Sequence, residues 1–282
     1  MKIGIMYSDG NRYSEFGNDR FKKIKEHGFD CIDYSLSNTN TGVYQMTAEE
    51  AFSFIASEKA LLDDAKIFVS QVHGPWVIPK PDGTEEGRAK RFEECIRSIR
   101  CTARLGCNNW VIHPLFPFTG DDLDLDKAKE TREMNIEFYS RLVPFAESEG
   151  VTICLENMPF PRFSLSKPAE ILDIVNAVNH ENFKICLDVG HVCALDMSPA
   201  DAVRFLGDNI RAFHIHDTFP GGDKHMIPRF GAIDWNDFSK ALKEIGFDGV
   251  FSMETLPPHS LSTELFEKTA TLMSEIAKDI IK

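Results

Sequence analysis

Short apolar runs recur along the chain. Each is followed by a longer stretch in which apolar positions return every three or four residues, the spacing of a helix with one buried face. The runs are KIGIMY (2–7), CIDYSL (31–36), KIFVSQVH (66–73), NWVIH (109–113), VTICLE (151–156), FKICLD (183–188), IRAFHIH (210–216) and GVFSME (249–254). Helices are predicted near 15–27, 47–64, 85–105, 126–149, 168–178, 199–206, 235–245 and 261–280. Gly28, Gly106, Gly150 and Gly246 follow the helical patterns where a C-terminal cap belongs. Ser198 before Pro199 reads as an N-cap with proline in the first turn, and Lys167 before Pro168 reads in the same way.

Eight strand–helix units, with strands apolar on both faces, predict a parallel sheet covered by helices. Eight is the number that closes a barrel, and 282 residues suit one. An open doubly wound sheet is the alternative. Its glycine-rich phosphate turn is missing after the first strand, where the sequence reads SDGNRYSEFG. The expected fold is therefore α/β, a (β/α)8 TIM barrel, with residues 1–282 as a single domain.

Charge narrows the function. The net charge is −13, from 31 basic and 44 acidic residues, and no long Lys/Arg run offsets it. Such a surface repels nucleic-acid phosphates, so no nucleic-acid partner is expected. The opening MKIGIMYS is strand-like rather than a leader, and no apolar run reaches membrane-spanning length. A soluble, cytoplasmic protein with no membrane partner is the expectation. Seven cysteines without a CxxC pair predict free, mostly buried thiols.

Candidate chemistry sits at the strand ends, where barrels of this kind build their sites. His73, His113, Glu156, Asp188, His214, His216 and Glu254 all close apolar strands. Buried carboxylates need a counter-charge, and no strand-end Lys or Arg supplies it. Carboxylates mixed with imidazoles, without thiolate, suit one divalent ion: Mn2+, Mg2+, Co2+ or Zn2+. His73 alone reads equally well as a satisfied core histidine, and His216 as a hydrogen-bonding neighbour or a ligand. His214 and His216 lie two apart on a strand and share a face. The loop after strand seven, HDTFPGGDKHMIPRFGAIDW, turns at Gly221 and Gly222 and can bring Asp223 and His225 over the mouth. Phe116, Phe118, Phe160, Phe163, Phe219 and Phe230 fall in loops above the mouth. They are expected to cover the apolar face of a ligand, close a lid or form a homo-oligomer contact.

CLEN (154–157), CLDVGH (186–191), FHIHD (213–217) with DKHMIPRFGAIDW (223–235), and FSMET (251–255) together resemble the xylose isomerase-like barrel family. That family includes sugar (phosphate) isomerases and epimerases and also endonuclease IV, and the resemblance covers nearly the whole chain. It implies that Glu156, Asp188, His214 and Glu254 match the metal ligands of ketose 3-epimerases such as D-tagatose 3-epimerase. By the same resemblance Glu156 and Glu254 match the proton-transferring pair, and His191 a substrate-binding residue. His73, His113, His216, Asp223 and His225 are expected to line the substrate beside it. The substrate-clamping arginine of those epimerases has no clear counterpart here, Lys224 and Arg229 being the nearest candidates.

The implied reaction is isomerisation or epimerisation of a sugar, sugar phosphate or related polyhydroxy carbonyl compound. It runs by two-glutamate proton transfer through a metal-stabilised enediolate. Two alternatives stand. His73, His113, Glu156, Asp188, His191, His214, Asp223, His225 and Glu254 also match the endonuclease IV set for three zinc ions, which leaves two or three zinc ions and a phosphodiesterase open. The acidic balance, the first-strand continuation and the shorter loop after strand seven depart from that nuclease. An inosose-type dehydratase or lyase would use the same enolate chemistry.

Overall fold

The computed structural model of the chain describes residues 1–76, 81–117, 127–159, 161 and 164–282. Eight parallel strands form one sheet: β1 (Lys2–Tyr7), β2 (Cys31–Ser35), β3 (Phe68–His73), β4 (Asn109–Ile112), β5 (Thr152–Glu156), β6 (Phe183–Asp188), β7 (Ile210–His214) and β8 (Val250–Met253). Their order is β7-β6-β5-β4-β3-β2-β1-β8, in which each strand through β7 lies beside its sequence neighbour and β1 also pairs β8. Just past the end of β7 the circle closes. Ile215 bridges to Met253, its amide donating to Ser252 O at 2.8 Å while Glu254 N donates to Ile215 O at 3.0 Å. The fold is a (β/α)8 barrel.

The helices are α1 (Arg20–Glu26), α2 (Ala48–Ala65), α3 (Glu85–Arg104), α4 (Ala128–Ser148), α5 (Pro168–Val178), α6 (Val189–Ala194), α7 (Pro199–Leu206), α8 (Trp235–Glu244) and α9 (Thr263–Ile280). Their ends follow side-chain chemistry. Thr47 and Glu50 form a reciprocal capping box on α2, and Ser198 caps α7 by accepting from Asp201 N. Gly106 (φ 76°) and Gly150 (φ 70°) turn the chain out of α3 and α4. Two elements depart from the sequence pattern. The first predicted helix begins as a 3-10 segment over Arg12–Asp19, and only Arg20–Glu26 is α-helical. The short helix α6 is unpredicted; it starts on Asp188, whose side chain accepts from His191 N at 2.7 Å.

Outward-facing strand residues and the helices share one large apolar core. A second, small cluster fills the barrel interior: Val111, Cys154, Cys186 and Ala212, one from each of β4 to β7. These side chains are small because four neighbouring strands converge there. Two positions further along each strand, on the same inward face, stand His113, Glu156, Asp188 and His214. The site thus rests on a floor of small apolar side chains. All seven cysteines are free and buried. No described helix is long and apolar enough to cross a membrane.

Candidate active site

Register places the site. Asp188 pairs with His214 and Glu156 with Cys186 across adjacent strands, while Glu254 follows β8 directly. Glu156, Asp188, His214 and Glu254 offer ligand atoms within 4.8 Å of one another. The His214 ring joins the two glutamates, with Nδ1 3.0 Å from Glu156 Oε1 and 3.4 Å from Glu254 Oε2.

Two further groups meet the same criterion: His73, His113 and Glu156; and His191, His216, Asp223 and His225. Glu156 therefore belongs to two of the three. Its Oε2 lies 3.2 Å from His113 Nε2 and 3.5 Å from His73 Nε2. Asp188 connects to the remaining group: its Oδ1 is 3.1 Å from His216 Nε2 and its Oδ2 is 3.6 Å from His191 Nε2. Asp223 Oδ1 is 3.3 Å from His225 Nε2. All ten sequence-predicted site residues converge on one region.

The ring orientations are consistent. His73 donates Nδ1–H to Gly74 O at 2.9 Å, His191 to Asn157 O at 2.7 Å, and His225 to Glu254 O at 2.8 Å. His216 Nδ1 lies 3.3 Å from Asp217 O. Each ring thus turns Nε2 toward carboxylates, the way metal-binding imidazoles are oriented by backbone carbonyls. Glu156 Oε2, Asp188 Oδ2, Asp223 Oδ1 and His216 Nε2 are buried atoms without a hydrogen-bond partner. Acceptors left this way in low dielectric are costly unless a cation meets them, so the donor set fits divalent metal.

Electrostatics separates the two glutamates. Burial opposes the charge of Glu156, yet the His214 and His113 imidazoles hold its carboxyl well below the usual range. Burial raises Glu254, and Glu156 adds to the effect. Asp188 is drawn down to about 2 against burial by His191 and His216. His191 rises to about 9 and His225 to about 10, because nearby carboxylates outweigh burial.

A cavity of about 270 Å³ opens above these residues, lined also by Met6, Asp33, Ser35, Ser37, Trp76, Met158 and Pro159. Among the described residues lining it there is no Lys or Arg. Arg229 points elsewhere, pairing with Asp279 at 3.0 Å, and Lys224 is absent from the lining. The aromatic expectations divide. Phe116 is fully buried, packed with Met158 and Trp76 rather than covering the mouth. Phe219 and Phe230 are exposed. Phe118, Phe160 and Phe163 lie outside the described residues.

Residues 21–273 match the xylose isomerase-like TIM barrel family. The chain belongs to that family. It is 34% identical over 238 residues to an uncharacterized protein, MJ1311, of Methanocaldococcus jannaschii, covering 83% of this chain and 77% of that one. An inosose isomerase of Bacillus licheniformis is 32% identical over 194 residues, 66% of this chain and 68% of its own length. A D-psicose 3-epimerase of Agrobacterium fabrum is 25% identical over 90% of this chain and 84% of its own. Among solved structures, a D-tagatose 3-epimerase-like protein superposes with TM-score 0.79 and 27% identity over 100% of this chain and 97% of its own. The IOLI protein with a binding zinc atom shares the fold, with TM-score 0.75, 22% identity, and coverage of 100% and 98%.

Sequence reasoning missed Asp33. It lies in the middle of β2, not at a strand end, and is 3% exposed. A carboxylate inside CIDYS was the available signal, since an apolar strand rarely buries one without a task.

Proposed function

We propose that the chain is a metal-dependent isomerase or epimerase of a sugar or related polyhydroxy carbonyl compound. One observation carries this reading: Glu156 and Glu254, from strands three places apart on the barrel, reach the same His214 nitrogen beside the cavity. Named relatives that act on psicose and inosose support the substrate class. The lack of a described cationic side chain in the cavity lining favours an unphosphorylated sugar.

Glu156, Asp188, His214 and Glu254 would hold a divalent ion, which would supply Lewis acidity to make the C–H between a substrate carbonyl and its neighbouring hydroxyl more acidic. The chain's residues do the rest. One glutamate removes the proton from the carbon between those groups; the other returns it to the opposite face, or to the adjacent carbon for isomerisation. The environments of the pair differ: imidazoles hold Glu156 toward its charged form, while burial and Glu156 push Glu254 the other way. Incubation of ketohexoses and inososes in D2O with metal tests this. The wild type should incorporate deuterium, and Glu156→Gln and Glu254→Gln should each stop it; full exchange in both variants sinks the mechanism.

The three candidate groups favour one second reading, a multi-zinc phosphodiesterase, in which adjacent metals activate water and hold the leaving oxygen. Metal counting by native mass spectrometry separates the two: one ion per chain supports the isomerase, three zinc ions the hydrolase. Cleavage of abasic-site DNA is the direct assay, and the net charge of −13 weighs against it.

A further inference from the structure

His214 is held differently from its neighbours. His73, His191, His216 and His225 direct Nδ1 at a backbone carbonyl. His214 is reversed: Nδ1 faces the glutamates, and Nε2 lies 3.0 Å from Asp33 Oδ2. Asp33 belongs to none of the three candidate metal groups. Gln71, its register partner on β3, holds it in place: Gln71 Nε2 donates to Asp33 Oδ2 at 3.0 Å and to Phe213 O at 3.1 Å. Asp33 Oδ2 thus accepts twice, while Oδ1 is buried without a hydrogen-bond partner in a residue that lines the cavity.

We infer that Asp33 has two tasks: Oδ2 positions His214 so that Nδ1 faces the metal, and Oδ1 accepts a hydroxyl of the bound polyhydroxy substrate. The first follows from tautomer control. A histidine that donates Nε2–H to a carboxylate keeps a lone pair on Nδ1 and gains basicity there. The second follows from the donor inventory. An ionised carboxylate only accepts, so a buried free oxygen on a cavity wall selects a ligand rich in O–H donors. The inference rests on the isomerase/epimerase reading for its substrate class, not for its metal arm.

Two substitutions separate the tasks. In Asp33→Asn, Gln71 and His214 both donate to the Oδ2 position, so the amide oxygen must stay there and the NH2 must replace Oδ1. His214 remains held, but the cavity wall changes from acceptor to donor. Asp33→Ala removes both functions. Titration calorimetry with Mn2+ should show a roughly 10–100-fold weaker affinity for Asp33→Ala, and a loss under tenfold for Asp33→Asn. The KM for a ketohexose should rise about tenfold or more in Asp33→Asn, because a buried mismatched pair weakens binding. Nitrogen-15 NMR of the metal-loaded wild type should show the His214 proton on Nε2.

Wild-type metal affinity in Asp33→Ala overturns the positioning task, as does a proton on Nδ1 of the loaded protein. An unchanged KM in Asp33→Asn overturns the substrate contact. Should Asp33→Ala fail to fold, the tautomer measurement on the wild type still decides. A wild type that binds Mn2+ but turns over no sugar refutes the function reading and leaves the positioning test intact.

Discussion

Gly190 packs against the face of His216: a β-carbon at Gly190 would stand 1.9 Å from His216 Cε1. No side chain other than hydrogen fits, and His216 itself is fully buried. Gly190→Ala should therefore displace the imidazole and cost about 1–3 kcal/mol of stability. It should also raise the KM for a ketohexose, because His216 packs with His191, Asp223 and His225 beside the cavity. Urea denaturation and steady-state kinetics on the same preparation check both effects.

Asp217 organises the loop that delivers Asp223 and His225. Its Oδ1 accepts from Thr218 N at 2.9 Å and Ile233 N at 3.2 Å, and its Oδ2 from Arg229 N and Trp235 Nε1, both at 2.8 Å. Asp217→Ala leaves four donors unmet and should cost about 4 kcal/mol. The KM for a ketohexose should rise, because Asp223 and His225 line the cavity, while the affinity for Mn2+ at the group centred on His214 changes less. An unchanged KM, or a fall in Mn2+ affinity as large as the rise in KM, would contradict this.

Metal should stabilise the fold, since the buried carboxylate and imidazole atoms lose their desolvation cost when a cation meets them. At a hundredfold excess over its Kd, a ligand that binds only the native state adds about 2.7 kcal/mol. For a domain of this size that raises Tm by on the order of 5 °C. Scanning calorimetry with Mn2+ or Zn2+ should show the rise, and EDTA should reverse it.

His27 provides a pH dependence remote from the site. Burial lowers its pKa, with Lys23 adding to the effect and Glu267 and Glu26 opposing it. Its Nδ1 sits 3.0 Å from the Tyr13 hydroxyl. The folded-state pKa lies below the unfolded value, so the unfolded chain binds the proton more readily. Stability should be unaffected above about pH 6.5 and fall as pH drops from there through the folded-state pKa. His27→Gln should lose less stability than the wild type between pH 7.5 and 5, as read from urea midpoints.

Much of this was legible in one dimension. The alternation of short apolar runs with helical periods is local information, and so are the caps at Thr47 and Ser198. Strand-end carboxylates and histidines stood out because six apolar strands in succession rarely end that way. Helix α6 was not legible, because its six residues are too short for periodicity and its start depends on Asp188 capping His191 N. The burial of Phe116 was hidden as well, since it depends on Met158 and Trp76, which come from other loops.

The sequence by itself therefore determined eight strand–helix units, a site at their C-terminal ends and the residue types within it. Only the tertiary structure decided that Glu156 serves two groups, that His214 faces inward through Nδ1, and that Asp33, 181 residues away, holds its other nitrogen. Those facts depend on barrel curvature and strand register, which set ångström distances between residues remote in the chain. Hydrophobic periodicity carries no information at that scale.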